Sequence, residues 1–152
     1  MHLPTPGPEH RLLDVFVGKW INEGHTVARP GEPSAKIMTS DIYEWAVGKF
    51  HIVHTAYGPG GGVPGGGTEI ISYDSATGKN RSDFFDSFGN YNPHELTHRD
   101  GTWIWLGMWG SEWHRATAVF SNDGRVQTCL HERSDDGQTW EPSMEIVLTK
   151  II

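Results

Sequence analysis

Residues Gly58–Asp74 read GPGGGVPGGGTEIISYD, and the segment after the glycines decides the fold. Seven of the first ten residues are glycine and two are proline. Gly60–Gly65 spells G-x-G-x-x-G, and Gly62–Thr68 copies the spacing of a Walker A loop. Either motif holds a phosphate only because a helix comes next, whose free N–H groups and dipole face the anion. Here TEIISYD comes next, β-branched and alternating, which is the period of a strand. Thr68 also stands directly after Gly67, with no Walker lysine between them. A linker between domains is excluded as well, because neither flank is long enough to hold a second core. The stretch Gly58–Gly67 is therefore expected to be a mobile rim loop joining the third and fourth strands of an antiparallel sheet.

Outward from that loop the same alternation repeats. Short runs rich in β-branched and aromatic residues span 19–28, 37–47, 49–57, 68–74, 79–88, 91–98, 102–108, 112–121, 125–133 and 139–150. Their separators include SATGK, FGN, RDG, NDG and SDDG. Asn and Asp tolerate positive φ and Gly supplies it freely, as tight hairpins require. Ten hairpin-linked strands make a meander, and a meander of that length hides its edges by closing on itself. The expected fold is all-β: an antiparallel up-and-down barrel, with an open sandwich as the other architecture. Only EHRLLDVFV (9–17) has helical spacing, with Pro8 placed to start it and Gly18 to stop it. Residues 1–8 are expected as a loose arm, and 9–152 as one domain. RSDDGQTW (133–140) resembles a propeller Asp-box but occurs once, so it reads as a hairpin turn beside a packed Trp140.

Composition removes several function classes. The formal charge is −7 and the Lys and Arg residues are scattered, whereas nucleic-acid binding needs a basic face. There is no apolar run long enough for a membrane span, and the N-terminal MHLPTPGPEHRLLDVF lacks the pattern of a secretory leader. With one cysteine, Cys129, there is no internal disulfide and no cysteine zinc site. A cytoplasmic location fits these features, and a homodimer is compatible with them. Seven Trp and nine His are the compositional oddities.

FVGKW (16–20) after a short helix is similar to the G-x-W signature of the calycins, the lipocalin and fatty-acid-binding-protein group. LLDVFVGKWINEG, YEWAVGKFHIV, IISYDSATGK, FFDSFGN and SDDGQTWEP succeed one another in an order that resembles a bacterial family, domain of unknown function 1579. The likeness runs from about Glu9 to Lys150, and the Gly-rich insert is its one departure. It implies a small calycin-like barrel whose Trp20 packs across the closed end. It also implies an interior cavity able to bind a small hydrophobic or amphipathic molecule.

Strand alternation nominates residues for that cavity. With Trp20 inward, Asn22, Gly24 and Thr26 point inward too. Thr39, Asp41, Tyr43 and Trp45 share a face, as do Phe50, Ile52 and His54. Phe85 shares a face with Asp83, Phe84 with Asp86, and Trp113 and Arg115 oppose His114. Met144, Ile146 and Leu148 form the most apolar face. The expected ligand-binding set is Asn22, Tyr43, Trp45, His54, Phe85, Trp105, Arg115 and Met144, mixing aromatic and polar groups as pockets do.

An alternative function is acid–base chemistry in the lumen, of the isomerase or cyclase type, with Asp41, His54, Asp83 or His131 as the proton carrier. His94, Glu95 and His98 spell the zincin motif H-E-x-x-H, but that motif needs a helix, and HELTH is flanked by aromatic strands. Likeness to nitrobindin-type barrels raises haem ligation by His131 or His54, and nothing in the spacing selects either. No cofactor is expected; zinc on His94 and His98, or haem, is the alternative. The expected partner is a small molecule, with neither nucleic acid nor membrane.

Overall fold

The computed structural model describes residues 1–60 and 63–152. The chain opens with one helical turn, α1 (Pro8–Arg11), which runs directly into a 3-10 turn over Leu12–Phe16. Pro8 sits where a missing N–H costs nothing. All the remaining regular structure is strand: β1 (Gly18–Thr26), β2 (Lys36–Trp45), β3 (His51–Tyr57), β4 (Pro59–Gly60), β5 (Val63–Pro64), β6 (Gly67–Asp74), β7 (Lys79–Asp86), β8 (Tyr91–Arg99), β9 (Thr102–Trp109), β10 (Glu112–Phe120), β11 (Val126–Ser134) and β12 (Glu141–Lys150).

Ten long strands build the wall of a closed antiparallel barrel. Closure comes from β1, which pairs with β2 on one side and with β12 on the other. Among the described residues no long strand is left with an open edge, which is how a meander escapes edge-to-edge association. The hairpins obey their residues. Arg99 pairs with Thr102, and the two residues between them, Asp100 (φ 51°) and Gly101 (φ 79°), both have positive φ. That is the type I′ geometry whose twist matches the strands it joins. The Ser134–Trp140 turn is likewise a local hydrogen-bond device, with Asp136 Oδ1 accepting from the Gln138 and Thr139 N–H groups at 2.8 Å.

The glycine stretch is more structured than a loop. Pro59–Gly60 and Val63–Pro64 pair with each other, and Gly60 also pairs with Ile37 of β2. Gly61 and Gly62, the centre of the expected mobile loop, lie outside the described residues. The expected place at the rim agrees with Gly65 and Gly66, which border the mouth of the barrel.

The helical turns plug the opposite end. Leu13 and Phe16 are fully buried there. Phe16 meets Trp103 and Phe120 edge-on at 4.9 and 5.3 Å between ring centroids and stacks on Tyr43 at 5.8 Å. Trp20 donates its indole N–H to the Phe16 carbonyl at 2.9 Å, so the buried ring also satisfies a helix-end acceptor. Ile52, Ile71 and Leu96 complete this apolar floor.

Candidate functional site

Above the floor the barrel is hollow, with a cavity of about 490 Å³ that opens at the end bordered by Gly65, Gly66, Asp86 and Phe88. Its walls are the inward halves of alternating strands, and they carry two polar networks facing each other across an aromatic and aliphatic interior.

The first network hangs on His54 of β3. Its Nε2 lies 2.7 Å from Asp41 Oδ2 on β2, and its Nδ1 lies 2.8 Å from Glu69 Oε1 on β6. The registers make this meeting local: His54 is paired directly with Glu69, and Asp41 lies one residue row away, paired with Ala56. Thr39 donates its hydroxyl to the other Asp41 oxygen. Ser82 and the Trp105 indole, the latter at 3.0 Å, donate to the other Glu69 oxygen. Burial opposes charge on His54, but the hydrogen bonds and negative charges of Asp41 and Glu69 outweigh it and raise the pKa to about 9. Burial also opposes ionisation of Glu69; its bonds from His54, Ser82 and Trp105 win and lower its pKa. His54 is therefore an imidazolium clamped between two acids, with the Tyr43 ring stacked on it at 3.8 Å.

The second network is a row of three histidines. His94 Nε2 is 2.8 Å from His114 Nδ1, and His114 Nε2 is 2.9 Å from His131 Nδ1. All three are held uncharged: burial, reinforced by the neighbouring imidazoles, lowers His114 to about 2 and His131 to about 4, and burial lowers His94. One backbone group then fixes every tautomer. His94 Nδ1 lies 3.1 Å from the Asn92 carbonyl, which can only accept, so His94 carries its proton on Nδ1. Its bare Nε2 must accept from His114 Nδ1, and the bare His114 Nε2 must accept from His131 Nδ1. The row is directional and ends at His131 Nε2, a lone pair with no hydrogen-bond partner among the described residues.

Two further groups are open. Asn22 Oδ1 and Gln127 Nε2 are buried without a hydrogen-bond partner, in side chains 7% and 1% exposed, and both residues line the cavity. Buried amides are normally satisfied, so each marks a place for a water or a ligand polar group. Cys129, also on the wall, is no nucleophile: burial, with Asp41 nearby, pushes its thiol up to about 12.

The structure brings Asn22, Asp41, Tyr43, His54, His94, Trp105, His131 and Met144 to the cavity. It does not bring five other candidates there. Asp83 points outward, accepting from Tyr91 at 2.6 Å and Arg81 at 3.3 Å. Phe85 is 48% exposed and stacks on Tyr91 outside the wall. Arg115 pairs with Glu132 and covers the Trp140 ring at 4.2 Å. These three corrections share one cause: alternation sorts a strand into two faces but does not say which is inward without an anchor. The inward set is Ser82, Phe84 and Asp86 on β7 and His114 and Ala116 on β10. Trp45 has the inward parity but lies past the plug, donating to Asp14 at 2.9 Å. His98 is exposed and stacks on Trp103.

HELTH lies on β8, so His94 and His98 are about 13 Å apart along the strand and cannot share a zinc ion. Among the described residues no three His, Cys, Asp or Glu side chains are grouped to hold one metal. Of the two residues raised for haem, His54 has both ring nitrogens engaged, and only His131 keeps a bare nitrogen. The site residues that sequence reasoning misses are Glu69, Ser82, His114 and Gln127. A signal for one of them is present in the alternation, since Glu69 and Ile71 share a parity, but in sequence Glu69 stands out only as part of the strand that closes the glycine loop.

Solved structures share this architecture. Rv2717c from M. tuberculosis superposes with a TM-score of 0.67 at 13% identity, over 96% of this chain and 99% of that one. The S-type phycobiliprotein lyase CPES from Guillardia theta gives 0.67 at 9% identity, over 97% and 99%. A protein of unknown function from the DUF3598 family of Nostoc punctiforme gives 0.60 at 10% identity, over 98% of this chain and 51% of that one. At these identities the likeness is one of fold, a calycin-like barrel. No curated protein matches the sequence. The model of one family, described as a protein of unknown function (DUF1579), matches residues 5–104, and the chain belongs to that family.

Proposed function

We propose that the protein binds a small, largely apolar molecule in the lumen of its barrel. The observation that carries this reading is the cavity itself: about 490 Å³, floored by the Phe16 plug, walled by aromatic and aliphatic side chains, and holding two unpartnered buried amides. A well-packed interior of this size would have no such space, and pockets for small molecules combine apolar walls with a few placed polar groups. That a barrel of this architecture serves as a phycobiliprotein lyase in Guillardia theta supports the use of its interior for chemistry on, or carriage of, a small molecule. The test is titration with the neutral fluorophore N-phenyl-1-naphthylamine. Saturable emission, abolished by Met144→Trp, which fills the upper lumen, is the expected result. Emission that survives this substitution sinks the reading.

A second reading, acid–base catalysis in the same cavity, is favoured by His131 Nε2, which ends the histidine row with a free lone pair on a wall residue. A proton taken there can pass from His131 Nδ1 to His114 Nε2 and from His114 Nδ1 to His94 Nε2, moving the charge along the wall. Turnover of a screened carbon acid that is lost in both His131→Gln and His114→Gln would support it. Turnover indifferent to His114 would remove the relay.

A further inference from the structure

Building on the lumen-binding reading, we propose that the cavity selects a cationic amphipath, an apolar or aromatic body carrying a protonated amine, and rejects the corresponding carboxylate. The described residues that line the cavity include Asp41, Glu69 and Asp86 but neither Lys nor Arg. Nearby cations are committed elsewhere. Arg115, expected in the site, faces outward against Glu132, Arg81 is held by Asp83, and Arg133 is tied to Glu112 and Glu141. An anionic headgroup entering the lumen would lose its hydration and meet no cation but His54, which Asp41 and Glu69 already hold.

A cation meets the opposite conditions. Asp41 and Glu69 share the single positive charge of His54, which leaves an excess negative charge in the wall. Asp86 adds another at the mouth. The histidine row that faces them contributes no positive charge and ends in the acceptor at His131 Nε2. Asn22 Oδ1 is a second acceptor without a donor, buried on the same cavity wall. An ammonium supplies only donors, so it can serve either of these acceptors. At the mouth, Phe84 and Trp109 stand 5.4 Å apart between centroids and offer ring faces that attract a cation on its way in. A buried donor without a partner, Gln127 Nε2, suits a hydroxyl or carbonyl elsewhere on the same molecule.

Three probes with one apolar body separate the possibilities: 2-naphthylmethylamine, 2-naphthylmethanol and 2-naphthylacetate, titrated near neutral pH against tryptophan fluorescence and by calorimetry. The amine is expected to bind at least about tenfold more tightly than the acid, with the alcohol between them. Added salt should weaken the amine and leave the alcohol unchanged. In Glu69→Gln the amine should fall to the level of the alcohol. Should that variant fail to fold, Asp86→Asn at the exposed rim should still narrow the ratio of amine to acid. Acid binding equal to or tighter than amine binding, within a site that Met144→Trp blocks, overturns the charge selection and leaves lumen binding standing. No binding by any of the three, or binding that Met144→Trp does not disturb, overturns the lumen reading and the selection together.

Discussion

His114 and His94 hydrogen-bond ring to ring at 2.8 Å across the bare backbone of Gly107, which is paired with both of them on β9. Because the Asn92 carbonyl sets His94, the whole row adopts one tautomer, with the proton on Nδ1 of His94, His114 and His131. Long-range nitrogen–proton NMR near neutral pH should report three neutral imidazoles of that tautomer. A single Nε2–H ring among the three would break the row.

Gly107 is what lets the two rings meet. A Cβ there would lie 2.9 Å from His94 Cγ and closer still to the Pro93 carbonyl oxygen. The carbonyl is backbone and cannot step aside as a long side chain would. Gly107→Ala is expected to cost about 1–3 kcal/mol in chemical denaturation, as overpacking does. It should also disturb the NMR signals of His94 and His114 before those of His54, which lies in the other network. A neutral substitution would mean that β8 and β9 separate easily.

How much of this is legible in the sequence differs between fold and site. TEIISYD after the glycines, the D-G turn at 100–101 and the helical spacing of 9–17 are local signals, and the strands and turns lie close to them. Trp20, one such local anchor, also gives β1 its parity, so Asn22 is legible as a lumen residue. On β7 the doublet Phe84–Phe85 is apolar on both parities, so alternation cannot choose between Asp83 with Phe85 and Ser82 with Phe84. On β10 the same ambiguity sets Arg115 against His114. The polar networks are hidden for a different reason. His54 meets Asp41 through the β2–β3 register, set by the turn at 46–50, and Glu69 through the β3–β6 register, which depends on where the glycine hairpin ends. No spacing within one strand encodes them.

His54 holds two acids apart electrically as much as it joins them. Replacing it by Leu leaves Asp41 and Glu69 buried on the two strands that flank β3, with no countercharge. A broken buried pair of this kind costs about 3–5 kcal/mol. His54→Leu should therefore unfold at much lower urea than the parent protein. The triple variant Asp41→Asn, His54→Leu, Glu69→Gln should recover much of the loss, because no charge is then stranded. Failure of the triple variant to recover would show that packing around the Tyr43 stack, not charge, is what His54 supplies.

The two networks titrate in opposite directions, and this gives stability a maximum near neutral pH. His94, His114 and His131 have folded pKa values below the ordinary 6.5, the last two at about 2 and about 4. As pH falls below 6.5 the unfolded chain takes up protons that the folded one refuses, so stability declines through the range down to about 2. Glu69, lowered by its bonds, adds to that decline once pH drops below its ordinary 4.5. His54 is the reverse case, raised to about 9. Its contribution is complete below 6.5 and is lost as pH rises through about 9, because the unfolded chain has already released its proton. Cys129, pushed up to about 12, steepens the alkaline limb above its ordinary 9. Urea unfolding across pH should trace a dome with its top between about 6.5 and 7.5 by these shifts. His131→Gln should flatten the acid limb alone, and the triple variant should flatten the alkaline limb and, lacking Glu69, also lose that residue's share of the decline below 4.5. A parent profile level from about pH 5 to pH 9 would contradict both assignments of charge.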